Sequence, residues 1–117
     1  MAIPTGAGTE VLKRVSLKGL TTSFQAILAG ADADHIYTIL SVIFSENNGD
    51  AEKIDMQVDI SAAGSNQITL LDRVDLAARD TYVFNEKLVM TGTDQLEVKA
   101  QTAASIDVYV SYIDQHF

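Results

Sequence analysis

The sequence predicts a single all-β domain, an antiparallel β-sandwich of about eight strands with jelly-roll or immunoglobulin-like topology. Three observations predict it. Apolar and polar residues alternate along much of the chain, turn residues recur about every ten residues, and there is almost no helix pattern. The chain has 117 residues, the usual size of one domain, and 47% of them are hydrophobic, which is enough for one core.

The predicted elements follow in chain order. Residues 1–9 are small and rich in glycine, so they predict a flexible N-terminal arm ahead of the domain, residues 10–117. Extended segments are predicted at residues 10–18, 24–28, 36–45, 53–60, 68–76, 81–85, 88–90, 95–100 and 106–113. The alternation is imperfect within residues 68–76, which indicates a bulge or a short helical turn there.

Two segments are the most informative about burial. Residues 36–45 are almost continuously apolar and rich in β-branched side chains, which predicts a central strand covered on both faces. In residues 53–60 the side chains of Ile54, Met56, Val58 and Ile60 share one face, so that strand should have one core face and one wet face. Two groups of turn-forming residues predict hairpins. Residues 47–50 predict a hairpin loop after the central strand, and residues 92–93 predict another between residues 88–90 and 95–100.

The last strand alternates most regularly. Ile106, Val108, Val110 and Tyr112 share one side, while Tyr109 falls on the other and is expected to be exposed.

Composition excludes several classes of function. The chain has 16 acidic and 8 basic residues, a net charge of -8, so it should repel the phosphate backbone and bind no nucleic acid. Lys13, Arg14 and Lys18 are the one close basic group and are interpreted as a solvated strand edge. Cysteine is absent, which excludes disulfides and thiolate metal sites. Neither a membrane-spanning run nor a signal peptide is predicted, which suits synthesis in a cytoplasm and no membrane partner.

Motifs that would carry chemistry are not found. His35 and His116 lack a metal-ligand spacing and are interpreted as structural or incidental. Asp32 and Asp34, or Glu46, Asn48 and Asp50, offer oxygens for calcium, but an EF-hand would need glycine where Tyr37 stands, and ordinary turn chemistry explains these residues better. There is no nucleophile elbow and no phosphate loop. We therefore assign no catalytic, cofactor-binding or metal-binding residues. We expect that the chain has no cofactor and is not an enzyme.

Carbohydrate binding stays open as an alternative. Sugar platforms favour exposed tryptophan, which this chain lacks, but Tyr109 could serve as a small platform. An exposed tyrosine is equally typical of a subunit interface.

Residues 81–114 carry a family resemblance. The segment contains a Lys-Leu-Val strand, a Gly-x-Asp turn, a Leu-x-Val strand, a small-residue turn and a closing strand that ends in Ser-Tyr-Ile. The residues are Lys87, Leu88, Val89, Gly92, Asp94, Leu96, Val98, Ala103, Ala104, Asp107, Val108, Ser111, Tyr112 and Ile113. This pattern resembles short virion structural proteins of tailed bacteriophages. The segment of residues 36–60 also fits, while the first thirty residues match least.

The resemblance implies a non-enzymatic structural component of a virion. A head decoration (cement) protein is the first expectation, and a neck, collar or tail component is the alternative. Its implied partners are other copies of itself and a capsid or tail scaffold protein. We expect its interface to combine the arm, with Ile3 and Pro4, and one sheet face carrying Tyr109 and Ile113.

Overall fold

The computed structural model describes residues 9–30 and 34–117. These residues form nine strands: β1 (Thr9–Leu17), β2 (Gln25–Ala29), β3 (His35–Glu46), β4 (Glu52–Asp59), β5 (Gln67–Leu76), β6 (Thr81–Phe84), β7 (Leu88–Thr91), β8 (Gln95–Ala100) and β9 (Ile106–His116). A 3-10 turn, Ile60–Ala62, follows β4 and takes in Ile60, which was predicted as that strand's last inward residue. The predicted arm lies outside the described residues except for Thr9, which begins β1.

The strands form two antiparallel sheets. One has the order β1-β9-β3-β6, with β7 also paired to β3, and the other has the order β2-β8-β4-β5. Successive strands alternate between the sheets, apart from the β4–β5 hairpin and the β6–β7 pair, which lie along the two halves of β3. Counting β6 and β7 as one interrupted strand gives the eight strands and the connectivity of a jelly roll. The predicted sandwich is therefore confirmed, and the jelly roll is the topology.

The core lies between the two sheets. It is built from the inward side chains predicted by alternation, because a residue at every second position of a strand points to the same face. The largest fully buried side chains are Phe44, Leu20, Ile39, Ile54, Met56, Met90, Leu96, Ile106, Val42, Val98, Val108 and Val110. On β9 the predicted inward set, Ile106 to Tyr112 in steps of two, is buried throughout.

The predicted hairpins are wrong, although the turns are in the predicted places. β3 and β4 lie in different sheets, and so do β7 and β8. Turn residues fix where the chain changes direction but not whether the next strand pairs with the last one. Crossing to the other sheet lets the apolar faces of successive strands pack against each other, which in-sheet pairing would not do.

The strand predicted to be irregular, β5, is bulged. Its pairing with β4 shifts register twice, and Arg73 within it has a φ of 53°. An extra residue in one strand bends it and increases its twist, as expected for a bulge at a sheet edge.

Buried carboxylates organise the loops. Glu46, at the end of β3 and 3% exposed, accepts hydrogen bonds from the backbone N–H groups of Asn48 (2.8 Å), Gly49 (2.9 Å) and Arg79 (2.8 Å). The bond from Arg79, helped by those from the 48–50 loop, lowers the pKa of Glu46 against the opposing effect of burial. Other carboxylates hold backbone N–H groups in the same way: Glu52, Asp59, Asp94 and Asp107. Part of the acidic excess is therefore structural.

Candidate assembly surface

The outward face of the five-stranded sheet carries an array of apolar side chains. Register places Leu12 of β1 beside Ile113 of β9. It also places Tyr109 of β9 beside Ile43 of β3, which lies beside Val83 of β6. With Leu40 and Val89 these residues are called the apolar face: Leu12, Leu40, Ile43, Val83, Val89, Tyr109 and Ile113. Of the seven large hydrophobic side chains exposed in the described part of the chain, four lie here, led by Leu12 at 72%.

Charge distinguishes this surface from the outer face of the other sheet. In the described strands of the five-stranded sheet, the outward charges are Glu10, Arg14 and Asp107, on its edge strand β1 and at one end of β9. The outer face of the four-stranded sheet carries cross-strand polar pairs. They are the ion pair of Lys53 with Asp75, the opposed Asp55 and Lys99, and a hydrogen bond from Gln57 Nε2 to Glu97 Oε1 at 2.6 Å. One sheet thus presents a surface suited to water, and the other presents one suited to protein contact.

The two sides of strand β3 differ in burial, although its sequence is almost continuously apolar. Its inward residues Ile39, Val42 and Phe44 are each 0% exposed. Its outward residues Thr38 and Ile43 are only half-buried. The prediction that β3 is covered on both faces is therefore confirmed for its inward side and met only in part on its outward side. A strand with so continuous an apolar run is typical of one buried on both faces.

A bulge shapes the middle of the apolar face. The β3–β9 register shifts between Ile39 and Ser41, which brings Leu40 and Ser41 onto the same outward surface. Two shallow depressions, of about 240 and about 580 Å³, flank Tyr109. Hydroxyl groups line both: Ser16 and Ser45 on one side, and Ser41 and Ser111 on the other. The surface is therefore apolar but not flat, and it can receive protruding side chains.

The predicted interface residues are partly brought together. Tyr109 is exposed (38%), as expected, and Ile113 is half-buried on the same face. Ile3 and Pro4 lie outside the described residues. Sequence reasoning missed Leu12, Val83 and Val89, because they come from three different strands and only the sheet order makes them neighbours.

A polar cluster at one end of the sandwich was also missed. Asp114 of β9, 4% exposed, accepts a hydrogen bond from Lys13 Nζ of β1 at 2.8 Å, and its other oxygen lies 2.7 Å from His35 Nδ1 of β3. The His35 ring stacks on that of His116, with 4.5 Å between centroids. Burial works to raise the pKa of Asp114, but the hydrogen bonds and charges of His35 and Lys13 hold it below its usual value. The cluster ties the three strands together.

The cluster changes two sequence interpretations. Lys13 is not simply part of a solvated edge, because its ammonium is bound to a buried carboxylate and its pKa is raised by that hydrogen bond and charge. His35 has a structural contact, as expected of it. The signal that would have found the cluster is the β9 register, which places Asp114 opposite Tyr37 and beside His35.

A calcium site would need the side-chain oxygens of the two loops named in the sequence analysis. In the 46–50 loop, Glu46 directs its carboxylate at backbone N–H groups, which is the turn chemistry expected from the sequence. Asp32 lies outside the described residues. Among residues 9–30 and 34–117, no group of three or more histidine and acidic side chains could hold a metal ion.

Solved structures with similar folds come from a pilus and from a virus. The Bacillus endospore appendages, described as a novel family of disulfide-linked pili, match with a TM-score of 0.52 and 14% identity over 99% of this chain and 95% of that chain. The T13 particle of infectious bursal disease virus matches with a TM-score of 0.56 and 8% identity over 92% of this chain and 31% of that one. The Gx strain of the same virus gives a TM-score of 0.53 and 8% identity, over 92% and 36% of the two chains.

These similarities show the fold. The chain spans about a third of the viral chains it matches and nearly the whole length of the pilus chain. No protein-family model and no curated protein matches the sequence. The described residues contain no helix long and apolar enough to cross a membrane.

Proposed function

We propose that this chain is a structural subunit of a virion or surface appendage, and that it self-associates through the apolar face. The observation that carries the proposal is the half-covered strand β3. Its sequence is typical of a strand buried on both faces, yet its outward side chains on the apolar face are only half-buried. A second copy of the chain that packs on this face would supply the missing cover.

The size of the face fits such a contact. Four strand positions about 4.8 Å apart and the eleven residues of β9 at about 3.3 Å each give a planar area of about 19 by 36 Å, roughly 700 Å². Specific protein interfaces bury about 800 Å² on each partner. Exposed apolar patches of a few hundred Å² or more commonly mark interaction sites.

The lack of cysteine excludes disulfide links between copies of this chain. The Bacillus pili with the same fold are described as disulfide-linked. This chain has no cysteine, so disulfides cannot link its copies, and we propose that noncovalent contacts do. An apolar face with few charges provides such contacts, because burial of apolar surface is the main favourable term in association.

Among virion roles, the proposal follows the phage resemblance of the closing strands. A head decoration protein that binds itself and a capsid scaffold is the first choice, and a neck, collar or tail component is the alternative. The charged outer face of the four-stranded sheet would then be directed at solvent. Residues 1–9, with Ile3 and Pro4, are proposed to contact a neighbouring subunit. Deleting residues 1–8 should weaken assembly while leaving the circular dichroism spectrum and the melting temperature unchanged, and wild-type assembly by the truncated chain would contradict this role for the arm.

A matched pair of variants tests the role of the apolar face. Val83 (51% exposed) lies on the face, and Ile68 (49% exposed) lies on β5 of the other sheet. Val83→Asp should weaken self-association about tenfold or more, since an unpaired charge would have to be buried. Ile68→Asp should associate like the wild type. Sedimentation velocity over a range of concentrations measures both.

Three results would overturn the proposal. The wild-type chain could remain a monomer at all concentrations, Val83→Asp could associate normally, or the two variants could weaken association equally. The third result would mean that association follows general surface hydrophobicity rather than the apolar face.

Carbohydrate binding is the second candidate. It is favoured by the exposed Tyr109 ring between two depressions lined by serine hydroxyls. A glycan array with the wild type and Tyr109→Ala, each with and without calcium, tests it. Binding that Tyr109→Ala abolishes would support it, and no binding by the wild type in either condition would exclude it.

A further inference from the structure

Strand β1 is the long, regular edge of the sandwich. It pairs with β9 over all nine of its residues without a register shift. In the described part of the chain its other edge pairs with no strand. Half of its backbone N–H and C=O groups therefore point away from the sheet, which makes the edge a template for another strand.

The other sheet edges are modified in ways that oppose pairing. β2 has five residues and a register shift, and β5 has two register shifts. The opposite edge of the five-stranded sheet is broken between β6 and β7. Short, bulged and interrupted edges are the usual means by which proteins prevent strand addition. β1 has none of these features and no proline.

The outward side chains of β1 are self-complementary. They read Glu10, Leu12, Arg14 and Ser16 along the strand. When two copies run antiparallel about Leu12, each Leu12 meets the other, and each Glu10 lies opposite the Arg14 of its partner. Opposed unlike charges and opposed apolar side chains both stabilise antiparallel pairs. A register centred on Lys13 would instead place two lysines opposite each other.

We propose that β1 pairs antiparallel with β1 of a second copy, centred on Leu12, to form one continuous sheet across two subunits. The twofold axis is perpendicular to the sheet, so both copies turn their apolar faces to the same side. Leu12, at 72% the most exposed large hydrophobic side chain among the described residues, becomes the centre of the contact. This pairing rests on the proposed self-association and adds a second contact to it, because it leaves the apolar faces of both copies uncovered.

Disulfide trapping tests the register, because the chain has no cysteine of its own. Directly opposed Cα atoms in an antiparallel pair lie about 4.5–5.5 Å apart, within the span of a disulfide. Leu12→Cys should therefore form a covalent dimer under mild oxidation. Ser16→Cys is the matched control on the same strand and face, and it would lie about 26 Å from its copy, so it should remain a monomer on a non-reducing gel.

A charge swap tests the pairing without a covalent bond. In the Glu10→Arg variant, the new arginine of each copy lies opposite the Arg14 of its partner. In the Arg14→Glu variant, the new glutamate of each copy lies opposite the Glu10 of its partner. Each single variant should weaken the dimer roughly tenfold in sedimentation equilibrium. The double variant restores unlike pairs and should recover affinity close to that of the wild type.

The outcomes separate this pairing from the proposed function. If the wild type associates but Leu12→Cys gives no more dimer than Ser16→Cys, or the double variant is not rescued, the β1 pairing is wrong and self-association stands. If Leu12→Cys is trapped and rescue occurs while Val83→Asp associates normally, β1 pairing stands and the apolar face is not the contact. A wild-type chain that is always a monomer contradicts both.

Discussion

Ile39 and Ile43 offer a matched comparison of the two faces of one strand. Both belong to β3, and they differ in that Ile39 points into the core at 0% exposure while Ile43 is half-buried on the apolar face. Ile39 packs between Tyr112 and Leu88, its neighbours on the flanking strands. The same substitution, isoleucine to alanine, should therefore have different consequences at the two positions.

The magnitudes follow from burial. Ile39→Ala removes three carbons from a sealed core and should cost about 3–4 kcal/mol in the free energy of unfolding. For a domain of 117 residues that corresponds to a fall of about 15 °C in melting temperature. Ile43→Ala loses its cross-strand contacts with Tyr109 and Val83, about 1 kcal/mol or less in the monomer. Its main effect should be on self-association.

Urea denaturation at low protein concentration measures the first effect, and sedimentation at high concentration measures the second. Ile39→Ala should shift the urea midpoint, and Ile43→Ala should shift the association constant. Equal losses of unfolding free energy would refute the reasoning, because they would mean that the outer side of β3 is as well covered within one chain as the inner side.

Three further predictions concern parts of the fold that sequence patterns do not reveal. Glu46→Gln should lower the melting temperature at neutral pH more than Glu86→Gln at an exposed site does. Because the pKa of Glu46 is depressed in the folded chain, its contribution is present above its ordinary value of 4.5 and lost as pH falls, so the difference between the two variants should shrink in acid. Asp114→Asn should speed amide hydrogen exchange in β1 relative to the other edge strands, because it removes the charged partner of Lys13. Unchanged exchange would contradict the idea that Asp114 holds β1 to the sheet. Gly30→Ala should destabilise more than Gly64→Ala in thermal melts, since a Cβ at residue 30 would lie 2.2 Å from a backbone carbonyl oxygen, whereas one at residue 64 meets nothing within 4 Å and costs only the strain of its φ of 74°; a smaller loss for Gly30→Ala would contradict the close packing.

The inward residues could be predicted because they follow a local rule. Alternation in β4, β8 and β9 placed Met56, Val98 and Val110 in the core from the sequence alone. Burial of apolar side chains on a pleated strand requires that period, so the sequence must show it.

The pairing of strands could not be predicted in the same way. The turn at residues 92–93 was located correctly, but β7 and β8 separate to different sheets there. The choice between pairing and crossing depends on which distant strand covers each apolar face, and such long-range contacts leave no local pattern. The contact of Lys13 with Asp114 joins residues 101 positions apart and escaped prediction for the same reason.

The apolar face was partly predictable. Tyr109 was assigned outward from the alternation of β9, and Ile113 was assigned to the same interface face. Leu12 and Val89 lie on β1 and β7, whose two sides look alike in sequence, so only the sheet order shows that they join the same surface.

The most direct test of self-association through the apolar face uses its central aromatic residue. The chain has no tryptophan, so Tyr109→Trp introduces a single tryptophan at the middle of the face. Its emission should move from the wavelength of a solvated indole at low concentration to that of a buried one as the protein associates, in step with light scattering from the same samples. If light scattering shows association while the emission stays that of a solvated tryptophan, the apolar face is not the contact and the central claim is wrong.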